Sequence, residues 1–172
     1  MKIEKIRKIV FAALLTAIIC VATFVVQIPI PATGGYVNLG DCFVIISGYI
    51  LGGFYGALAA GLGSGLADIL AGYAQYAPAT FVIKAIMAIA FYFIYKAIFK
   101  AFGEKYSIIS KIISAIIAEL IMVGGYFAYE AVILHYGLSA AASIVPNLMQ
   151  GLVAVIASVI ITTAIDKIKF KI

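Results

Sequence analysis

Charge is scarce in this chain. Only 11% of its 172 residues are Asp, Glu, Lys or Arg, whereas an ordinary soluble domain carries about a quarter. There are too few polar side chains to coat a water-facing surface, so the main solvent is a lipid bilayer. Histidine occurs once, which excludes a multi-histidine metal centre. Cysteine occurs twice, as Cys20 and Cys42. Neither has metal or redox spacing, and both sit in or beside apolar runs as small packing residues do. The strict alternation of a transmembrane β-barrel strand is missing. So are H-E-x-x-H, G-x-S-x-G with a triad partner, and any Walker sequence. The glycines of Gly61-Leu62-Gly63-Ser64-Gly65 lie inside an apolar run, not after a strand, which argues against a nucleotide loop. With no ATP site and no repeated halves, the chain is a poor candidate for a self-sufficient pump or an inverted-repeat transporter.

What is present is long apolar sequence. Hydrophobic residues make up 66% of the chain, and the net charge is +5. Six apolar segments can be marked, at 8–28, 39–52, 53–72, 79–100, 108–134 and 143–165. Each is apolar all round, as buried or lipid-facing helices are. The second is short, roughly 14 residues where a crossing needs about 20. Pro29 and Pro31 close the first, a loop containing Thr33-Gly34-Gly35 follows, and Pro146 falls in the first turn of the sixth, where proline is tolerated. The basic start followed by an apolar run is like a signal peptide. The run is longer than a usual signal core and no A-x-A site follows, so it reads as a first transmembrane helix. The expectation is an all-α integral membrane protein, one domain over 1–172, folded as a six-helix bundle.

The basic residues orient it. Lys2, Lys5, Arg7 and Lys8 precede the first segment, Lys96, Lys100, Lys105 and Lys111 surround the fourth-to-fifth connection, and Lys167, Lys169 and Lys171 close the chain. Six crossings place all three groups on one side, which the positive-inside rule makes cytoplasmic, with both termini inside. Only Lys84 falls on the other side. These lysines flank apolar runs without interleaved aromatics, which argues against nucleic acid.

Small residues recur every four positions in the second and third segments: Gly48, Gly52, Gly56, Ala60, Ser64, and Gly53, Ala57, Gly61, Gly65. Such stripes let helix backbones approach closely. Ala13-x-x-x-Ala17 is a shorter version.

Polar groups inside a bilayer need partners, water or a function. Asp41 opens the second helix, where it can cap or meet a ligand. Asp68 lies near the outer end of the third, before Gly72-Tyr73, and an Asp68–Lys84 ion pair is one reading. Glu119, Val123, Tyr126 and Glu130 share one helix face, which lipid would reject. Glu119 is deep and can serve simply to join helices. His135 follows in a loop, where solvation is its ordinary role. Asn147 and Gln150, three residues apart, either join helices or read a ligand.

Together these residues resemble the substrate-binding S component of energy-coupling factor (ECF) vitamin transporters, over nearly the whole length. The resemblance rests on Ala13-x-x-x-Ala17, Gly35-Tyr36-Val37-Asn38-Leu39-Gly40-Asp41, the Gly61–Asp68 and Pro78–Lys84 stretches, Gly125-Tyr126-Phe127-Ala128-Tyr129-Glu130, and Pro146-Asn147-Leu148-Met149-Gln150. It implies a plasma-membrane binder that captures a vitamin or precursor from outside. The binder topples to deliver its ligand when docked on a transmembrane T subunit driven by two ATPase subunits. It needs no cofactor of its own, and ATP is used by the partners. By that resemblance Lys84, Tyr126, Glu130, Asn147 and Gln150 line the site. Asn38, Asp41 and Tyr73 belong to its lids, and Ala13 and Ala17 meet the T subunit. The absence of tryptophan speaks against a thiamine-type site, and the pyridoxine or hydroxymethylpyrimidine type is the closest expectation. The residues themselves support a site with one cation, one anion, two amides and tyrosine faces, in which Lys84 and Glu130 hold a heterocycle's polar edge and Tyr126 stacks on its ring. Two other classes compete. One is a small intramembrane enzyme using Glu119, Glu130 or Asp68 as an acid–base group. The other is a structural subunit whose polar groups only join helices.

Overall fold

The computed structural model describes residues 2–168; Lys169 and Lys171 of the C-terminal basic group lie outside them. Its helices are α1 (Lys2–Val25), α2 (Gly40–Leu70), α3 (Ala77–Phe102), α4 (Ser107–Ala128) and α5 (Ile144–Lys167), with strands β1 (Gln27–Ile30) and β2 (Gly35–Asn38) between α1 and α2. Among the described residues, five helices are long and apolar enough to cross a membrane.

The expected second and third segments are joined as α2, but α2 is not straight. Gly52 has φ 79° and ψ −172°, a backbone that L side chains rarely adopt. Ser47 Oγ donates to the Gly56 carbonyl at 3.0 Å. Nine residues of continuous helix would separate those two by about 13 Å, so the chain doubles back at Gly52. The small-residue stripes serve this fold. A Cβ on Gly56 would lie 2.7 Å from Ser47 O and 2.9 Å from Gly48 Cα; one on Gly48 would lie 2.6 Å from Ala88 O, and one on Gly63 2.6 Å from Thr16 O. The two arms of α2 therefore touch each other, α3 and α1 at backbone distance. In lipid, where no hydrophobic force draws helices together, such contact supplies the packing attraction.

Three expectations are corrected. The first helix ends at Val25, not at residue 28. The segment around Pro29 and Pro31 is not a helix stop leading into a loop: residues 27–38 form an antiparallel ribbon with Gln27 opposite Asn38 and Ile30 opposite Gly35. A proline within β1 is tolerated because a two-stranded ribbon has free edges that need no donor. The basic residues Lys5, Arg7 and Lys8 lie within the first turns of α1, not ahead of it. The other bounds shift by one to three residues at most ends. The exception is α4, which passes into a single wide turn over Tyr129–Ile133. Such i→i+5 turns re-aim side chains and cluster at functional sites.

The end of the bundle that carries Lys111 and Asp166 holds its own polar cluster. Lys111, grouped by sequence with the basic residues around the fourth-to-fifth connection, is buried. Its Nζ meets Asp166 Oδ2 at 2.5 Å and lies 5.2 Å from the Tyr49 ring centroid, and Tyr49 OH donates to Asp166. Its charge is neutralised within the bundle.

The Gly52 turn gives a paired test. Gly56→Ala must displace backbone and should destabilise the detergent-solubilised protein by about 1–3 kcal/mol, as overpacking does. Gly124→Ala, with nothing within 4 Å of the added Cβ, should stabilise by about 0.5–1 kcal/mol through helix propensity. Thermal unfolding of the two variants would show opposite shifts; equal shifts would contradict the close contact at Gly56.

Candidate solute-binding site

Near the ends of α2, α3, α4 and α5 that lie closest to Asp68, Tyr76, Glu130 and Asn147, the β-ribbon roofs a cavity. Its wall is built from Gly35, Tyr36 and Asn38 of β2, Asp68 of α2, Thr80 of α3, with Tyr76 just before it, Tyr126 and Glu130 of α4 and its wide turn, and Asn147 and Gln150 of α5. The free volume is about 20 Å³, room for roughly one water.

Hydrogen bonds tie the ribbon down. Tyr36 OH donates to Asp68 Oδ1 at 2.6 Å, Tyr76 OH donates to the Thr33 carbonyl at 2.8 Å, and the Asn38 N–H donates to Gln150 Oε1 at 2.5 Å. Burial pushes the Tyr36 phenol well above its ordinary range, and the Asp68 carboxylate pushes it further. Burial and the Glu130 carboxylate do the same for Tyr76. Both phenols therefore stay protonated and act as donors. The Tyr73 ring lies against that of Tyr36, with centroids 4.6 Å apart and planes tilted by 45°.

Beneath the lid, Glu130 accepts from Ser143 Oγ at 2.5 Å and from Tyr76 OH at 3.1 Å. Tyr126 OH and Thr80 Oγ1 are 2.9 Å apart. Asp68 Oδ2 is buried with no partner, an acceptor facing the chamber. Asn147 is buried in the wall.

The floor is ionic. Lys84 Nζ pairs with Asp41 Oδ1, both side chains 1% exposed. Gln150 Nε2 donates to Asp41 Oδ2 at 2.5 Å, and Lys84 lies 5.3 Å from the Tyr126 ring centroid, close enough for a cation–π contribution. Asp41 makes no capping bond at the start of α2. The Asp68–Lys84 pair suggested by sequence does not form: Lys84 is taken by Asp41, and Asp68 by Tyr36.

Of the eight expected solute contacts, Asn38, Tyr126, Glu130, Asn147 and Gln150 line the cavity. Asp41 and Lys84 lie next to it, Asp41 bonded to Gln150 and Lys84 packed against Tyr126, and Tyr73 contacts the lid through Tyr36. Ala13 and Ala17 stand exposed on α1. Sequence reasoning missed Tyr36, Tyr76, Thr80, Ser143 and the cavity-facing role of Asp68. Tyr36 and Thr80 lay inside stretches already singled out. Ser143 carried no signal. His135 is exposed, with φ 58° at the end of the wide turn, and takes no part.

A polar chamber roofed by a ribbon inside an apolar helical bundle suits a membrane-embedded binder of small solutes. The chain matches the family described as "ECF-type riboflavin transporter, S component" over residues 3–167 and belongs to that family. The family is one of transport subunits, not of enzymes, which sets aside the intramembrane-enzyme reading. Its description names riboflavin and gives no support to the pyridoxine or hydroxymethylpyrimidine type. An uncharacterized protein (gap 3'region) of Pyrococcus woesei is 44% identical over 66 residues, covering 38% of this chain and 44% of that protein. The chain thus spans less than half the length of that relative.

The floor predicts a stability effect. Lys84→Met leaves the Asp41 carboxylate buried without its cation and should cost about 3–5 kcal/mol. Lys84→Met with Asp41→Asn removes both charges and should recover most of that loss. Denaturant unfolding in detergent checks both, and a double variant as unstable as the single one would contradict the pairing.

Proposed function

We propose that this chain is the solute-capturing subunit of an ECF-type importer and that its solute is a flavin-class vitamin. The cavity wall carries the reading: three tyrosines, two acids and three side-chain amides, closed by one removable ribbon. A flavin presents a flat ring system with carbonyls and an imide N–H, and a chain of hydroxyls. Tyrosine faces suit the ring, the Asn147 amide suits the imide edge, and the unpartnered Asp68 oxygen suits a hydroxyl donor. The free volume is far smaller than such a molecule, so the β1–β2 ribbon must lift for entry, breaking the Tyr36–Asp68, Tyr76–Thr33 and Asn38–Gln150 bonds. Lys84 and Asp41 then act from below, holding Gln150 and Tyr126 in place.

The orientation belongs to the same proposal. The chain crosses the plasma membrane six times, with the two arms of α2 as separate crossings, both termini in the cytoplasm and the ribbon outside. A T subunit meets the exposed Ala13 and Ala17 face of α1, and two ATPase subunits drive delivery.

Titration of purified protein with riboflavin, followed by quenching of flavin fluorescence, tests the solute. Saturable quenching is expected, with Asn147→Ala weakening affinity at least about tenfold, the loss of one good buried hydrogen bond to a ligand. Pyridoxine and hydroxymethylpyrimidine should fail to compete. Absence of flavin binding, or displacement by pyridoxine, would reject the assignment.

Impermeant thiol labelling of whole cells tests the orientation. Ser139→Cys, on the exposed turn beside the ribbon, should label from outside, and Lys105→Cys, on the exposed α3–α4 connection, only after permeabilisation. The reverse pattern would overturn the topology.

A further inference from the structure

One buried carboxyl takes no part in the cavity. Glu119 is 5% exposed, and neither of its carboxyl oxygens has a hydrogen-bond donor. It packs against Gly151 of α5, where a Cβ would come within 3.2 Å of Glu119 Oε2. Gly151 follows Gln150, whose amide holds Asp41, so the Glu119 carboxyl lies beside that of Asp41, close enough to interact with it. Two carboxylates are both pure acceptors, and such a contact is a bond only when a proton lies between them.

The charges around Glu119 can be counted. α2 presents Asp41 and Cys42, and α3 presents Lys84. α5 presents the Gln150 amide and the bare backbone of Gly151. On α4 itself, the next polar group along the same face is Tyr126. One ammonium therefore faces two carboxyls. Lys84 is already committed to Asp41, and Gln150 gives its donor to Asp41 as well. The flank of Glu119 that faces lipid opens on a groove walled by Ile116, Leu120, Val123, Leu148 and Leu152, which offers no polar partner. A second ionised carboxylate in such surroundings is too costly to persist without a counter-charge.

We propose that Asp41 and Glu119 form a proton-binding site under the solute cavity, with one proton held between the two carboxyls. Glu119 carries the O–H and donates it to Asp41, which keeps its ion pair with Lys84. The cluster then holds one carboxylate, one ammonium and one carboxylic acid, and is neutral. Loss of the proton leaves one net negative charge beneath the chamber. The site thus sets the charge that the floor presents: neutral for an uncharged solute, negative and open to a cation when the proton leaves. The proton exchanges with the cavity side past Gln150, because the lipid side is apolar.

Infrared spectroscopy of the full chain in lipid nanodiscs tests this without any solute, so its outcome is separate from the flavin assignment. At neutral pH a protonated-carboxyl stretch that shifts in heavy water is expected, and Glu119→Gln should abolish it. Should that variant fail to fold, heavy-carbon labelling of glutamate carboxyls in a Glu130→Gln background should move the same band. The proposal is overturned if no protonated-carboxyl band is lost in Glu119→Gln or moved by the label. It is equally overturned if adding sodium at constant pH removes the band, which would make the site one for a metal cation.

Discussion

The buried Asp41–Lys84 pair is the constraint from which the rest of the site follows. Neither ion can leave the bundle, because lipid lies outside it and unpaired charge in hydrocarbon is strongly disfavoured. Pairing fixes α2 to α3 at that depth. It also fixes α5, because the second Asp41 oxygen takes the Gln150 amide. Three helices are thereby registered at one level by a single carboxylate. Tyr126 rests over the ammonium, which brings α4 to the same level. The chamber above is what remains when four helices are pinned at their common floor and roofed by a ribbon.

The bundle can hold such a floor because its walls need little volume. Gly48, Gly56 and Gly63 allow α2 to meet itself, α3 and α1 at backbone distance. Close backbone contact replaces the hydrophobic force that lipid removes. The stripes and the ion pair are complementary: one brings helices together without specifying height, and the other specifies height. A membrane bundle with only the stripes could slide along its seams, and the polar floor forbids that.

Much of this was legible in the sequence, for physical reasons that differ residue by residue. Helix spans are legible because a bilayer demands a fixed apolar length. The shared face of Glu119, Val123, Tyr126 and Glu130 is legible because helical spacing is regular, and the wide turn at Tyr129–Ile133 carries Glu130 on to the same chamber. The partner of Lys84 was not legible. Asp41 and Asp68 both lie at plausible depths, and the choice depends on how the arms of α2 rotate, which the packing at Gly48 and Gly56 decides. The ribbon was hidden because Pro29 and Pro31 read as a helix stop, and four-residue strands leave too little alternation to see. Lys111 misled in the opposite sense: its position in the chain gives it to the basic surface, while Asp166, 55 residues away, draws it inside.

Gln150 touches both roof and floor. Its carbonyl accepts from the backbone of Asn38 in the ribbon, and its amide donates to Asp41 in the ion pair. An amide can do both at once only because its donor and acceptor point apart by a fixed angle. In the proposed mode of entry, lifting the ribbon leaves Gln150 with an unfilled acceptor in a buried place, and a solute that offers a donor there would restore what was lost. The floor holds the amide in position while the ribbon is away, so the vacated hydrogen bond keeps its direction. In the proposed importer, a charge pair that need never touch the solute would thus determine where the solute's donor has to be.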